Sequence, residues 1–214
     1  GALDAEGHAA RIWLLERGLE YLPGSFPDTL GDLPGHVRFS LPGSSAPSGR
    51  RTGLFDARIH PDVCALVGNG LGGGSLINAG VMDWPRDAVF DSPAWPAAVR
   101  QGRQQLTELA RQVSQALGAT LPDGRPNTVG TQGCRPAKNL ALQRLAQGQT
   151  YRDAPITVAL TAQATTDAVQ LDACLQCGDC ATGCNHNAKI SLDTNLLARA
   201  QRRGVQIVTG ATAW

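Results

Sequence analysis

No apolar run in this chain approaches the roughly 18 residues that a membrane-crossing helix needs, and no leader pattern of basic residues followed by an apolar stretch opens it. The first gap excludes an integral membrane helix, and the second makes a cytoplasmic address the expectation. Charge of one sign is missing too. Nineteen Lys and Arg against 18 Asp and Glu leave a net charge of +1, which gives nucleic acid or an anionic lipid surface little to hold. Cysteine is sparse: six in 214 residues cannot staple a small disulfide scaffold, yet four of them crowd into the eleven residues 174–184, which points to a local use. The one methionine is Met82, so none begins the chain. Residues 1–7 read as the tail of a helix closed by Gly7, and the whole reads as a fragment, open at both ends, with enough length for one large domain.

Glycine, by contrast, is concentrated. Five glycines fall within residues 68–74, inside the stretch Val67-Gly68-Asn69-Gly70-Leu71-Gly72-Gly73-Gly74-Ser75-Leu76-Ile77-Asn78-Ala79-Gly80. Such a backbone can approach a ligand closely and present main-chain amides to it, and a phosphate is the natural guest. Gly68-x-Gly70-x-x-Gly73 after Ala65-Leu66-Val67 fits a dinucleotide fingerprint, but the helix that should follow is absent: residues 75–85 have no helical apolar period and end at Pro85. A triphosphate-binding loop is excluded by Gly74, which stands where the phosphate-reaching lysine belongs. A plain glycine-rich turn is the third reading.

Upstream, Arg11–Leu15 reads as a buried strand ending at Glu16. A carboxylate at the end of a second strand is the group that hydrogen-bonds an adenosine ribose, so Glu16 is the candidate ribose ligand. The matching glycine fingerprint, some 20 residues earlier, would fall before Gly1. Residues 18–62 are rich in Pro, Gly and Ser and read as a loop-dominated excursion, after which residues 62–67 lead into the glycine loop. A helical segment spans about 92–150. In it, Leu106, Leu109, Ala110, Val113 and Leu117 recur at helical spacing up to a stop at Gly118, and a shorter helix runs from Pro136 to Gln147. Pro155–Thr161 reads as a strand. Ser191 is placed to cap a helix carrying Leu192, Leu196, Leu197 and Ala200, and Val205–Thr209 then returns to a parallel sheet.

The cysteines follow the pattern Cys174-x2-Cys177-x2-Cys180-x3-Cys184, with turns available at Gly178 and Gly183. Three uses fit. Bacterial ferredoxins wrap an iron–sulfur cluster with this spacing, although Asn185 replaces their proline and the fourth ligand could be Cys184 or Cys134. Zinc sites favour two knuckles across a longer loop. Thiols that stabilise a tight loop are the third possibility. If the cluster reading were the whole story, the chain would be an iron–sulfur electron-transfer module without substrate chemistry.

The run from Gly68 to Gly80, followed by Pro85 and Asp91, resembles the first signature of the glucose-methanol-choline (GMC) flavin oxidoreductases, with Met82 where an aromatic or alanine is usual. Leu15-Glu16-Arg17-Gly18 with Leu22-Pro23-Gly24 and Phe26-Pro27 is similar to that family's second strand and the loop after it, and 174–195 to a cysteine-rich segment of its cholesterol-oxidase-like branch. The resemblance implies an α/β fold: an incomplete Rossmann-like FAD-binding domain over 1–214, with a parallel sheet, long loops and an inserted helical segment, the substrate domain being absent. It implies FAD held by Glu16, Gly68, Asn69, Gly72, Gly73, Ser75, Asn78, Ala79 and Gly80, and a hydride taken from an alcohol-type small molecule (an alcohol, sterol or sugar). An electron-acceptor protein is an implied partner. An iron–sulfur cluster on Cys174, Cys177, Cys180 and Cys184 would carry electrons out of the flavin. None of the four histidines sits in the family's catalytic motif, so no catalytic base is assigned.

Overall fold

A computed structural model describes residues 10–44, 46–121, 123–131 and 136–213. The expected helix tail at 1–7 and Cys134 lie outside the described residues. Strand β1 (Trp13–Leu15) forms within the expected stretch but is shorter and exposed at Trp13 and Leu15 rather than buried, and it leads through Glu16 into the region read as loop. That region holds a sheet instead. Strands β2 (Val37–Ser40), β3 (Ser48–Gly49), β4 (Phe55–Ile59) and β5 (Cys64–Gly68) assemble in the order β3-β2-β4-β5, with β2 and β4 parallel and the other pairs antiparallel. The reason is visible in retrospect. Val37 and Phe39 alternate with Arg38 and Ser40, and Phe55, Ala57 and Ile59 with Asp56 and Arg58, a period of two that the surrounding Pro and Gly content masks.

Beneath this sheet sits the main core of Tyr21, Phe26, Leu54, Phe55 and Leu76, with Leu19, Val37 and Ile77 packed on its edge. Leu76 belongs to α1 (Gly74–Ile77), a single helical turn in a stretch expected to carry none. Four residues close one turn without an amphipathic period, so periodicity could not reveal it.

The helical segment comprises α2 (Asp87–Phe90), α3 (Ala97–Gln101), α4 (Arg103–Ala116) and α5 (Ala137–Leu145). Gly102 divides what reads as one helix, and Gly118 ends α4 in a left-handed conformation at φ +72°. The α4 stripe is only half covered, since Leu109 and Val113 remain exposed.

Residues 155–161 do not form the expected strand. Ile156 bridges Val81 and Val158 bridges Lys189 as isolated contacts. A short hairpin of β6 (Gln163–Ala164) and β7 (Gln170–Leu171) follows, and Leu171 joins Ala159 and Ile190 in a second core. Helix α6 (Leu196–Arg202) then leads to β8 (Gln206–Val208), which pairs in parallel with β1, Trp13 opposite Gln206 and Leu15 opposite Val208. The cap of α6 is Asn195, whose side chain accepts the Leu196 amide; Ser191 precedes a separate tight turn, Leu192–Thr194. The architecture is mixed α/β, with one parallel pair beside a mixed sheet.

Candidate functional site

The strand end at Glu16 and the glycine loop lie directly against one another. Gly18 packs so closely that a Cβ there would stand 2.3 Å from the carbonyl carbon and oxygen of Asn69. The Leu71 amide donates to the Leu19 carbonyl at 2.9 Å, and Leu19 bridges Gly70 in parallel. The Glu16 carboxylate accepts the Gly18 amide at 2.6 Å, while its main-chain carbonyl accepts the amide of Ala211 just past β8. Glu16 thus sits where the ends of β1 and β8 meet the loop.

The loop differs from the expected row of bare amides. Those of Asn69, Leu71, Gly73, Ser75, Leu76 and Asn78 donate to main-chain carbonyls, and that of Gly80 to the Asn78 side chain. The amide of Gly72 makes no hydrogen bond among the described residues, although Gly72 is buried and at φ +113°. A buried donor without an acceptor is costly, which marks this one as available to a ligand. Gly73, at φ +56°, and Gly74 border open space, and Asn78 and Ala79 are exposed. Two expected ligand residues serve the interior instead. Asn69 is 2% exposed, donating to the Gly53 carbonyl at 2.8 Å and accepting from Arg17 Nε at 2.8 Å. Buried Gly80 gives its carbonyl to the Thr157 amide. Ser75 Oγ is likewise committed, donating to the Gly72 carbonyl at 2.6 Å and accepting the Leu192 amide at 3.0 Å.

Arg17 joins the two halves of this arrangement. Besides Asn69 it holds the buried Asp56 at 2.6 Å, with Arg58 at 3.5 Å and Arg38 at 3.8 Å around the same carboxylate. Arg17, Arg38 and Arg51, with Thr212, line a cavity of about 410 Å³. Three guanidinium groups make it a site for an anionic or planar guest.

On the far side of α1 lie residues that spacing did not single out. Lys189 is 4% exposed and donates from Nζ to the carbonyls of Leu76, Asn78 and Cys180. Burial pulls its pKa down to about 8. Burial also pushes the Asp193 carboxyl upward, and its buried Oδ1 has no partner among the described residues. The one available signal was a lysine flanked by the apolar Ala188 and Ile190.

The cysteine segment is a tight loop. Gly178 and Gly183 are left-handed, as expected, and Gly183 faces the Phe26 ring where a Cβ would be 1.9 Å away. Asn185 Oδ1 accepts the amides of Gly24 and Phe26, and its Nδ2 donates to the Phe26 carbonyl. The residue that departs from the ferredoxin pattern is therefore a tether. Cys177, Cys180 and Cys184 are free thiols; the sulfurs of Cys174 and Cys184 accept main-chain amides, and burial raises the Cys180 thiol. Among the described residues no three His, Cys, Asp or Glu side chains are gathered to hold a metal ion, so the structure lends the iron–sulfur and zinc readings no support.

Residues 48–214 match the sequence profile of the GMC oxidoreductases. The cholesterol oxidase of Mycobacterium tuberculosis (strain H37Rv) is 28% identical over 218 residues, covering 94% of this chain and 35% of that protein. That of Acinetobacter baumannii is 23% identical over 167 residues, covering 72% and 29%. The chain thus spans about a third of the length of these curated relatives. No helix among the described residues is long and apolar enough to cross a membrane.

Proposed function

This chain belongs to the GMC oxidoreductase family, and we propose that it forms the FAD-binding part of an oxidoreductase acting on the CH–OH group of an alcohol. The observation that carries the reading is the contact between the Glu16 strand end and the glycine loop, through Gly18 against Asn69 and Gly70. It supports the reading because a carboxylate at a strand end and a close-approach backbone lie side by side, as one extended dinucleotide would need. The residues fit such a guest. Glu16 takes the ribose hydroxyls, the arginine-lined cavity beyond Arg17 takes the adenosine end, and the free Gly72 amide with the open surface at Gly73 and Gly74 takes the pyrophosphate. Exposed Asn78 and Ala79 then border the reactive ring. When bound, FAD supplies the hydride acceptor, and the protein's share is orientation and electrostatics.

A second cavity, which the four cysteines of the 174–184 segment also line, supports a substrate class. A space of about 290 Å³ adjoins Ala79 and is lined by Val81, Ile156, Val158, Leu160 and Leu175. Its apolar walls suit a sterol-like or aliphatic alcohol better than a sugar, in keeping with the relatives' names.

Flavin binding to the full-length protein tests the reading. A side chain at Gly74 meets open space, so Gly74→Val leaves the fold and melting temperature unchanged while intruding on the cofactor. The expected result is at least about a tenfold weaker FAD affinity for the variant. Equal affinity in wild type and variant, or no flavin in the wild type, would overturn it.

A further inference from the structure

Lys189 is enclosed by main chain. Its ammonium has three hydrogens, and each goes to a carbonyl: Leu76 at 2.8 Å, Asn78 at 2.5 Å and Cys180 at 2.8 Å. Among the described residues no carboxylate forms a salt bridge with it. The Cys180 and Cys184 thiols and, more weakly, Asp193 act on it only electrostatically. A buried ion held by carbonyl dipoles, with no counter-ion in contact, keeps much of its field, because neither water nor a salt-bridged partner screens it at contact. Two of the three carbonyls belong to the end of α1 and the residue after it, the third to the cysteine loop. One side chain therefore fixes the loop face at Asn78 and Ala79 and ties the cysteine segment to it.

We propose that Lys189 is a positioning and electrostatic residue for the flavin, locking the Asn78–Ala79 face and placing a fixed positive charge behind it that favours the electron-rich reduced cofactor over the oxidised one. This rests on the reading of residues 72–79 as the cofactor-facing surface. It also gives the cysteine segment a part: Gly183 against Phe26 and the Asn185 tether hold Cys180 where its carbonyl completes the lysine's cage.

The test compares Lys189→Met, Lys189→Gln and Lys189→Arg in full-length protein, reading melting temperature, FAD affinity and two-electron midpoint potential. Gln keeps a donor without the charge, and Arg keeps both. The expectation is a preference for reduced over oxidised FAD that falls about tenfold in the Gln variant, a potential lower by about 30 mV. Met adds a loss of FAD affinity, and Arg restores the potential. Should Met not fold, the contrast between Gln and Arg decides the matter. A wild-type flavoprotein whose potential is the same in Gln and Arg variants overturns the assignment of Lys189 alone. A wild-type protein that takes up no flavin overturns the reading beneath it.

Discussion

At the scale of single residues, close approach and buried charge set the geometry. Gly18 has no left-handed backbone; what it lacks room for is a methyl group, because the Asn69 and Gly70 main chain lies within 2.5 Å of where a Cβ would be. Backbone cannot rotate aside, so Gly18→Ala must separate the Glu16 strand end from the glycine loop, at about 1–3 kcal/mol or more. Urea denaturation should show that loss for Gly18→Ala and none for Gly74→Ala, where a Cβ meets nothing within 4 Å. Asp56 is the complementary case. Its carboxylate is 2% exposed and faces three partly exposed arginines, so Asp56→Asn leaves those cations without their shared counter-ion and should cost about 1–3 kcal/mol. A stability within about 0.5 kcal/mol of wild type would show that the cluster is solvated and not structural.

At the scale of elements, the sequence was most informative where local chemistry alone decides. The β1 and β8 strands, the stop at Gly118 and the left-handed turns at Gly178 and Gly183 all follow from residue type. It was least informative where a partner decides. Val37–Ser40 and Phe55–Ile59 become strands by pairing with each other, while Pro155–Thr161, a better strand by composition, finds only isolated bridges. Cysteine spacing fixes chain distances but not the direction of each sulfur, so a ferredoxin-like pattern could be met by a loop held through Asn185. The inward turn of Asn69 was illegible for the same reason: a polar residue in a glycine loop can point inward, and this side chain bonds Arg17 and the Gly53 carbonyl.

Helix α6 offers a test at this scale. Asp167, before β7, takes both Arg199 nitrogens at 2.6 and 2.9 Å and Arg202 at 3.3 Å, tying the helix to the hairpin. The Arg199 hydrogen bonds hold its carboxyl below the usual range. A depressed carboxyl stabilises the fold above its unfolded pKa, and that contribution fades as pH falls through the folded value. Asp167→Asn should therefore be less stable at pH 7, by about 1–3 kcal/mol. The gap should narrow in acid, once the wild-type carboxyl is protonated. A gap independent of pH would mean that charge plays no part.

At the scale of the molecule, the arrangement leaves apolar surface uncovered on both sides of the candidate site. Trp13 is 59% and Leu15 51% exposed on β1, and Leu66 is 61% exposed on β5. The parallel pair β1–β8 has only two strands, too few to be independently stable, and contiguous apolar strand faces seldom stay open to water. The Glu16 strand end is thus built on a sheet of only two strands. A polypeptide of these 214 residues should accordingly bind the dye ANS strongly and melt broadly, with the arginine-centred sheet around Asp56 outlasting the β1–β8 pair. Hydrogen exchange would resolve the two: amides of β4 and β5 should be protected well beyond that of Gln206, whose donor bond to the Ile12 carbonyl is part of the two-stranded pair. Equal protection in both sheets would show that the pair is held as firmly as the four-stranded core.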